Sequence, residues 1–113
     1  MSPITTHILD TAQGRPAQGV AVTLNRQDSN GWTALASGTT NADGRITDLL
    51  SDGTKLTAGI YRLHFAVGDY FTQRGVESFY PEVEIRFRLQ NPEQHYHVPL
   101  LLNPFGYTTY RGS

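Results

Sequence analysis

Four histidines, two of them separated by a single residue, are the side chains of this 113-residue sequence best suited to chemistry near neutral pH. They are His7, His64, His95 and His97. An imidazole with an ordinary pKa of about 6.5 can accept or donate a proton there, and a positioned general acid or base typically contributes about 10² to 10⁴ in rate. His95 and His97 open the stretch His-Tyr-His-Val-Pro-Leu-Leu-Leu, which runs through the turn Asn103-Pro104-Phe105-Gly106 to Tyr110-Arg111-Gly112-Ser113. Two apart on a strand, they point the same way. A His-x-His with a third histidine is also a pattern that zinc can use, since three imidazoles leave one position open. No spaced carboxylates accompany it, so the expectation is no metal. Taken singly, His7 reads as a strand residue with a satisfied hydrogen bond, Arg45 as a solvated turn residue, Tyr110 as an edge-strand aromatic and Ser113 as a fraying end. His64 and His95 keep that structural reading. So do Arg15, Arg26, Arg62, Arg86 and Arg88, as surface charge.

Strands must position these side chains. Residues 4–9 suit a short extended segment that carries His7, and 10–16, with Gly14 and Pro16, read as a loop. Val20, Val22 and Leu24 then alternate against Ala21, Thr23 and Asn25, the period of a half-buried strand. After the turn cluster Asp28-Ser29-Asn30-Gly31 a third strand covers 32–39, with Trp32 as a large contact. Asn41-Ala42-Asp43-Gly44 is the strongest hairpin signal, because Asp-Gly readily adopts positive φ, and Arg45 leaves it directly. A fourth strand is expected over 46–50, followed by a loop over 51–58. The fifth, 59–67, has Tyr61, Leu63, Phe65 and Val67 on its apolar face. A short helix over 69–74, capped by Asp69 and stopped by Gly75, comes next. Val83, Ile85, Phe87 and Leu89 mark a sixth strand, and 98–102 with 107–110 form a C-terminal hairpin. Eight short strands and one small helix predict an all-β chain, a two-sheet antiparallel β-sandwich forming one domain over 1–113. If the last strand lies at a sheet edge, 107–110 exposes backbone with neither lysine nor proline to protect it, and pairing with another subunit resolves that liability.

Composition narrows the function. A chain this short buries only about two thirds of its unfolded surface, so partner subunits would help it. Nine basic and ten acidic side chains, with no run of either sign, offer no footprint for nucleic acid or an acidic membrane. The absence of cysteine excludes a disulfide framework, a thiol nucleophile and thiolate metal ligands. No apolar run approaches the roughly 18 to 20 residues of a membrane span. The N-terminus lacks the basic and apolar regions of a secretion signal, and Arg-Gly-Ser is not a peroxisomal ending, so the expected location is the cytoplasm.

Three separated places carry a resemblance: His-Ile-Leu-Asp from His7, Asp-Gly-Arg ending at Arg45, and the C-terminal stretch from His95 to Ser113. Gly68-Asp69-Tyr70-Phe71 ahead of Glu77-Ser78-Phe79-Tyr80-Pro81-Glu82 adds a fourth. Together they resemble the 5-hydroxyisourate hydrolases, the enzymatic relatives of transthyretin. Transthyretin itself shares the fold but not the Tyr-Arg-Gly-Ser ending or histidines at these positions. The resemblance implies a homotetramer, a dimer of dimers with active sites at the subunit interface. It also implies cofactor-independent hydrolysis of 5-hydroxyisourate to 2-oxo-4-hydroxy-4-carboxy-5-ureidoimidazoline. The matching catalytic residues are His7, Arg45 and His97; substrate would be held by His7, Arg45, Tyr110, Arg111, Gly112 and Ser113.

That set suits the reaction. Opening an amide-like ring needs a deprotonated water, a stabilised oxyanion and a protonated leaving nitrogen. Histidine can move both protons, and arginine's rigid fork suits a planar polar heterocycle, with one oxyanion donor worth about 10² to 10³. In the working assignment His7 and His97 position and deprotonate water, Arg45 holds and polarises the carbonyl, and Tyr110 and Ser113 orient the ring. Which histidine is the base stays open, and a Ser113 nucleophile is the competing mechanism. Two other classes stand beside the hydrolase: a non-catalytic carrier of a small aromatic ligand, which calls for a mostly apolar pocket, and a plain interaction module. The module predicts that His7, Arg45 and His97 do not converge.

Overall fold

Alternation along the chain becomes burial in space. In a computed structural model describing residues 2–113, the first strand, β1 (Ile4–Asp10), buries Ile4, Thr6, Ile8 and Asp10 and turns Thr5, His7 and Leu9 outward. The remaining elements are β2 (Arg15–Pro16), β3 (Ala21–Asp28), β4 (Gly31–Thr39), β5 (Gly59–Phe65), α1 (Val67–Gln73), β6 (Val83–Leu89), β7 (Tyr96–Asn103) and β8 (Gly106–Thr109). One sheet has the order β2-β1-β7-β8 and the other β4-β3-β5-β6. Between them Ile4, Ile8, Val22, Leu24, Tyr61, Leu63, Phe65, Leu100 and Leu102 are fully buried, the apolar faces expected of β3 and β5 among them. The two-sheet sandwich is as expected from sequence. All pairs are antiparallel except β1 with β7, whose parallel register sets Thr5 opposite His97 and His7 opposite Pro99. No helix among the described residues is long and apolar enough to cross a membrane.

Two strand assignments differ from expectation. Residues 46–50 form no strand; only Arg45 makes a bridge, to His7. Their apolar side chains are spent on packing instead: Ile46 rests on Gly38, where a Cβ would come within 2.9 Å of it, while Leu49 and Leu50 are buried in the core. The Leu50 amide donates to Ser2 Oγ rather than to a neighbouring strand. Conversely, the expected loop over 10–16 contains β2, which pairs Arg15 with Asp10 and Pro16 with Leu9. Buried Asp10 holds this corner, accepting from the amides of Ala12 and Gln13 and, at 2.8 Å, from the Tyr70 hydroxyl on α1. Burial, then that bond, pushes the Tyr70 phenol up to about 12. The helix begins two residues before the expected start and is capped at Ala66 without a side-chain bond, so Asp69 sits in its first turn and is not the cap. On the opposite sheet, Arg62 is not free surface charge: its guanidinium lies 4.3 Å from the Trp32 ring centre.

Candidate active site

Parity on β7 and a turn near the middle of the chain bring the candidate residues together. His95 and His97 face the same side, as their two-residue spacing requires, and their rings lie 6.4 Å apart at 19°. Arg45 arrives through the turn at 41–44. Gly44, at φ +73°, donates its amide to the Asn41 carbonyl, and Asn41 Oδ1 accepts from the amides of Asp43 and Arg45. The Gly44 carbonyl accepts from Ile8 N at 2.9 Å, which docks the turn against β1 and sets Arg45 opposite His7. The expected hairpin thus closes as a turn whose outgoing arm is a single bridged residue.

Arg45, His97 and Ser113 line one cavity of about 300 Å³, together with Thr5, Thr6 and His95 and with Ile46 and Thr47, which follow Arg45. His7 stands beside this cavity, bridged to Arg45. Burial lowers the His7 pKa, and the Arg45 charge lowers it further against the opposing pull of Asp43. His97 is lowered by burial, then by Arg45, His95 and His7. Both imidazoles are therefore held neutral near pH 7, the state in which a ring nitrogen can accept a proton.

Gly112 lies against His97. Its amide donates to the His97 carbonyl at 2.9 Å, and a Cβ there would lie 2.6 Å from His97 Cδ2 and 3.2 Å from Pro99 Cγ. A side chain at this position would have to displace the His97 ring. Tyr110 and Arg111 face a neighbouring recess of about 270 Å³ that has His97 as a shared wall. Tyr110 is 55% exposed there. Arg111 lies 4.4 Å from the Tyr96 ring centre and donates to Gln94. A single chain therefore gathers Arg45, His97, Gly112 and Ser113, with His7 adjacent, and leaves Tyr110 and Arg111 on the far side of His97. His64 is elsewhere, paired with Glu82 on the other sheet's outer face. Among the described residues no group of three His, Asp or Glu side chains is placed to hold a metal ion. Sequence reasoning missed two members, Thr5 and His95. Parity alone could have flagged His95, whereas nothing local marks Thr5, whose place depends on the β1–β7 register.

The family model described as Transthyretin: HIUase/Transthyretin family matches residues 4–112. The chain belongs to the HIUase/Transthyretin family. Within it, a mouse protein named 5-hydroxyisourate hydrolase is 48% identical over 114 aligned residues, covering 99% of this chain and 96% of that one. The structure of Klebsiella pneumoniae 5-hydroxyisourate hydrolase superposes with a TM-score of 0.85 at 40% identity, covering 97% of this chain and 98% of the other. Sea bream transthyretin, solved in complex with thyroxine, superposes with a TM-score of 0.90 at 37% identity over 98% and 95% of the two chains. The HIUase/Transthyretin fold thus hosts proteins of both names, and the side chains at the site must choose between them.

Proposed function

We propose that this chain hydrolyses 5-hydroxyisourate to 2-oxo-4-hydroxy-4-carboxy-5-ureidoimidazoline, a step of urate degradation. The observation that carries this reading is the convergence of His97 and Arg45 on one cavity, with His7 bridged to Arg45 beside it. A carrier of an aromatic ligand has no use for two neutral imidazoles and a guanidinium at its pocket wall, and an interaction module has no reason to gather them. In the mechanism, a neutral histidine takes a proton from water as its oxygen adds to the ring carbonyl. Arg45 stabilises the charge that develops on the carbonyl oxygen. As the ring C–N bond breaks, the histidine returns the proton to the leaving nitrogen, and the acyl carbon becomes a carboxylic acid that ionises by releasing water's second proton to solvent. Water is the only co-reactant. His97, lining the cavity, is the better-placed base, with His7 orienting the water. Ser113 holds the ring, and Tyr110, Arg111 and Gly112 shape the surroundings.

The same reading includes a cytoplasmic homotetramer, a dimer of dimers. The exposed edge strand β8 and the exposed side chains of Phe105, Tyr107 and Tyr110 support it, since each is a surface that a second copy would cover. The test of the activity is the ultraviolet decay of 5-hydroxyisourate freshly made from urate, against a no-protein control, because the substrate also decays unaided. Wild type should accelerate the decay and His97→Ala should lose about 10² to 10⁴ of that acceleration. A protein that leaves the uncatalysed rate unchanged would refute the hydrolase and point to the carrier.

A further inference from the structure

The Thr5 hydroxyl stands between two imidazoles. Its Oγ1 is 2.8 Å from His97 Nδ1 and 2.9 Å from His95 Nε2. The sheet builds this arrangement: Thr5 is the cross-strand partner of His97 in the β1–β7 pair, and His95 lies two residues earlier on the same face. A hydroxyl has one proton, so it can donate to one of these nitrogens and must accept from the other. The three groups are therefore correlated. Either Thr5 donates to His97 Nδ1, which puts the His97 proton on Nε2, or it accepts from His97 Nδ1–H and donates to His95 Nε2. The second arrangement leaves His97 Nε2 unprotonated, with its lone pair free. Only the second fits a His97 base, because Nδ1 is taken up by Thr5 and Nε2 is the ring nitrogen left to accept a proton.

We propose that Thr5 is a positioning residue which, braced by His95, holds His97 as the Nδ1–H tautomer and aims Nε2 at the cavity as the base. The proposal rests on the hydrolase reading for its catalytic meaning. On taking a proton from water, His97 becomes an imidazolium whose Nδ1–H stays bonded to Thr5, and the same Nε2 proton later passes to the leaving nitrogen. The ring needs neither to flip nor to change its partner on Nδ1 during the cycle. His95, exposed just ahead of β7, contributes through the bond that it accepts from Thr5.

The test compares Thr5→Val, which keeps the β-branched shape without the hydroxyl, with Thr5→Ser and with the exposed variant His95→Ala. Nitrogen-15 spectra of the histidine rings read the tautomer without substrate. In wild type, His97 should show a protonated, pyrrole-like Nδ1 and an unprotonated Nε2. Thr5→Val should mix the two tautomers, Thr5→Ser should restore the wild-type signature, and His95→Ala should shift it part of the way. In the substrate-decay assay Thr5→Val should lower kcat about 10- to 100-fold, by analogy with loss of the outer hydrogen-bond partner of a metal-bound histidine, with KM changed less than about twofold. Wild-type nitrogen shifts showing Nε2–H, or an unchanged His97 signature in Thr5→Val, would overturn the proposal. So would a Thr5→Ser no better than Thr5→Val. If Thr5→Val does not fold, His95→Ala decides, an unshifted spectrum counting against the brace. A correct tautomer in a wild type without activity would instead overturn the hydrolase reading, so the two failures are distinct.

Discussion

Two imidazoles at one site would ordinarily be half protonated near pH 6.5, yet here both are pushed below that value. For His97 the causes are burial first, then the Arg45 guanidinium on the arm after the turn, and then the neighbouring imidazoles of His95, just ahead of β7, and His7 on β1. The sign follows directly. A base with a lowered pKa keeps its lone pair to more acid pH, so the acid limb of kcat/KM should lie below pH 6.5 and activity should be level from there to neutrality. Titration of the ring C–H signals by NMR checks this group by group, and a midpoint for His97 at or above 6.5 would contradict it. Stability moves in the same sense. These rings contribute fully above the unfolded value of about 6.5, and the contribution is lost as pH falls through the lower folded values. Gly112 is the other residue whose identity is dictated by the site, because any side chain there meets the His97 ring.

The turn at 41–44 is the element on which the site most depends. It carries Arg45 across to β1 with bonds from Asn41 on one side and Ile8 on the other, and its geometry needs Gly44 at φ +73°. A Cβ at Gly44 would fall 2.4 Å from the Ile8 carbonyl oxygen and 3.1 Å from Pro16 Cβ, both on firmly packed elements. Gly44→Ala should therefore destabilise the fold by at least about 1 to 2 kcal/mol, the left-handed penalty alone, and lower kcat/KM more than stability, since Arg45 moves with the turn. Thermal melting with the substrate-decay assay measures both. Equal melting temperatures for variant and wild type would show that the turn is less constrained than its contacts indicate.

At the scale of the whole molecule, the sandwich leaves one side unfinished. β8 and β6 are edge strands of their sheets, β8 is only Gly106–Thr109, and Phe105 and Tyr110 are 62% and 55% exposed beside it. A tight soluble monomer seldom shows backbone edges and large aromatics together. The proposed tetramer predicts a sedimentation mass four times that of the 12.5 kDa chain. Tyr110→Ala should weaken assembly or activity well before it changes the sandwich, because Tyr110 lies outside the core. A fully active monomer would remove the assembly from the proposal while leaving the hydrolase standing.

Period-two alternation in 20–25, 59–65 and 83–89 was enough to read the sandwich, because burying one face of a strand needs little beyond the pattern. The spacing of His95 and His97 determined that both face one way, and Asp43-Gly44 determined a turn just before Arg45. Residues 46–50 misled for a physical reason: apolar side chains can enter a core from an irregular segment as well as from a strand, and local pattern does not separate the two. What only the tertiary structure decided is who meets whom. The parallel register of β1 and β7 put Thr5 against His97, 92 residues away in the chain, and the docking of the turn at Gly44 on Ile8 put Arg45 against His7. No local rule encodes that register, since it is selected by the fit of whole apolar faces across the core.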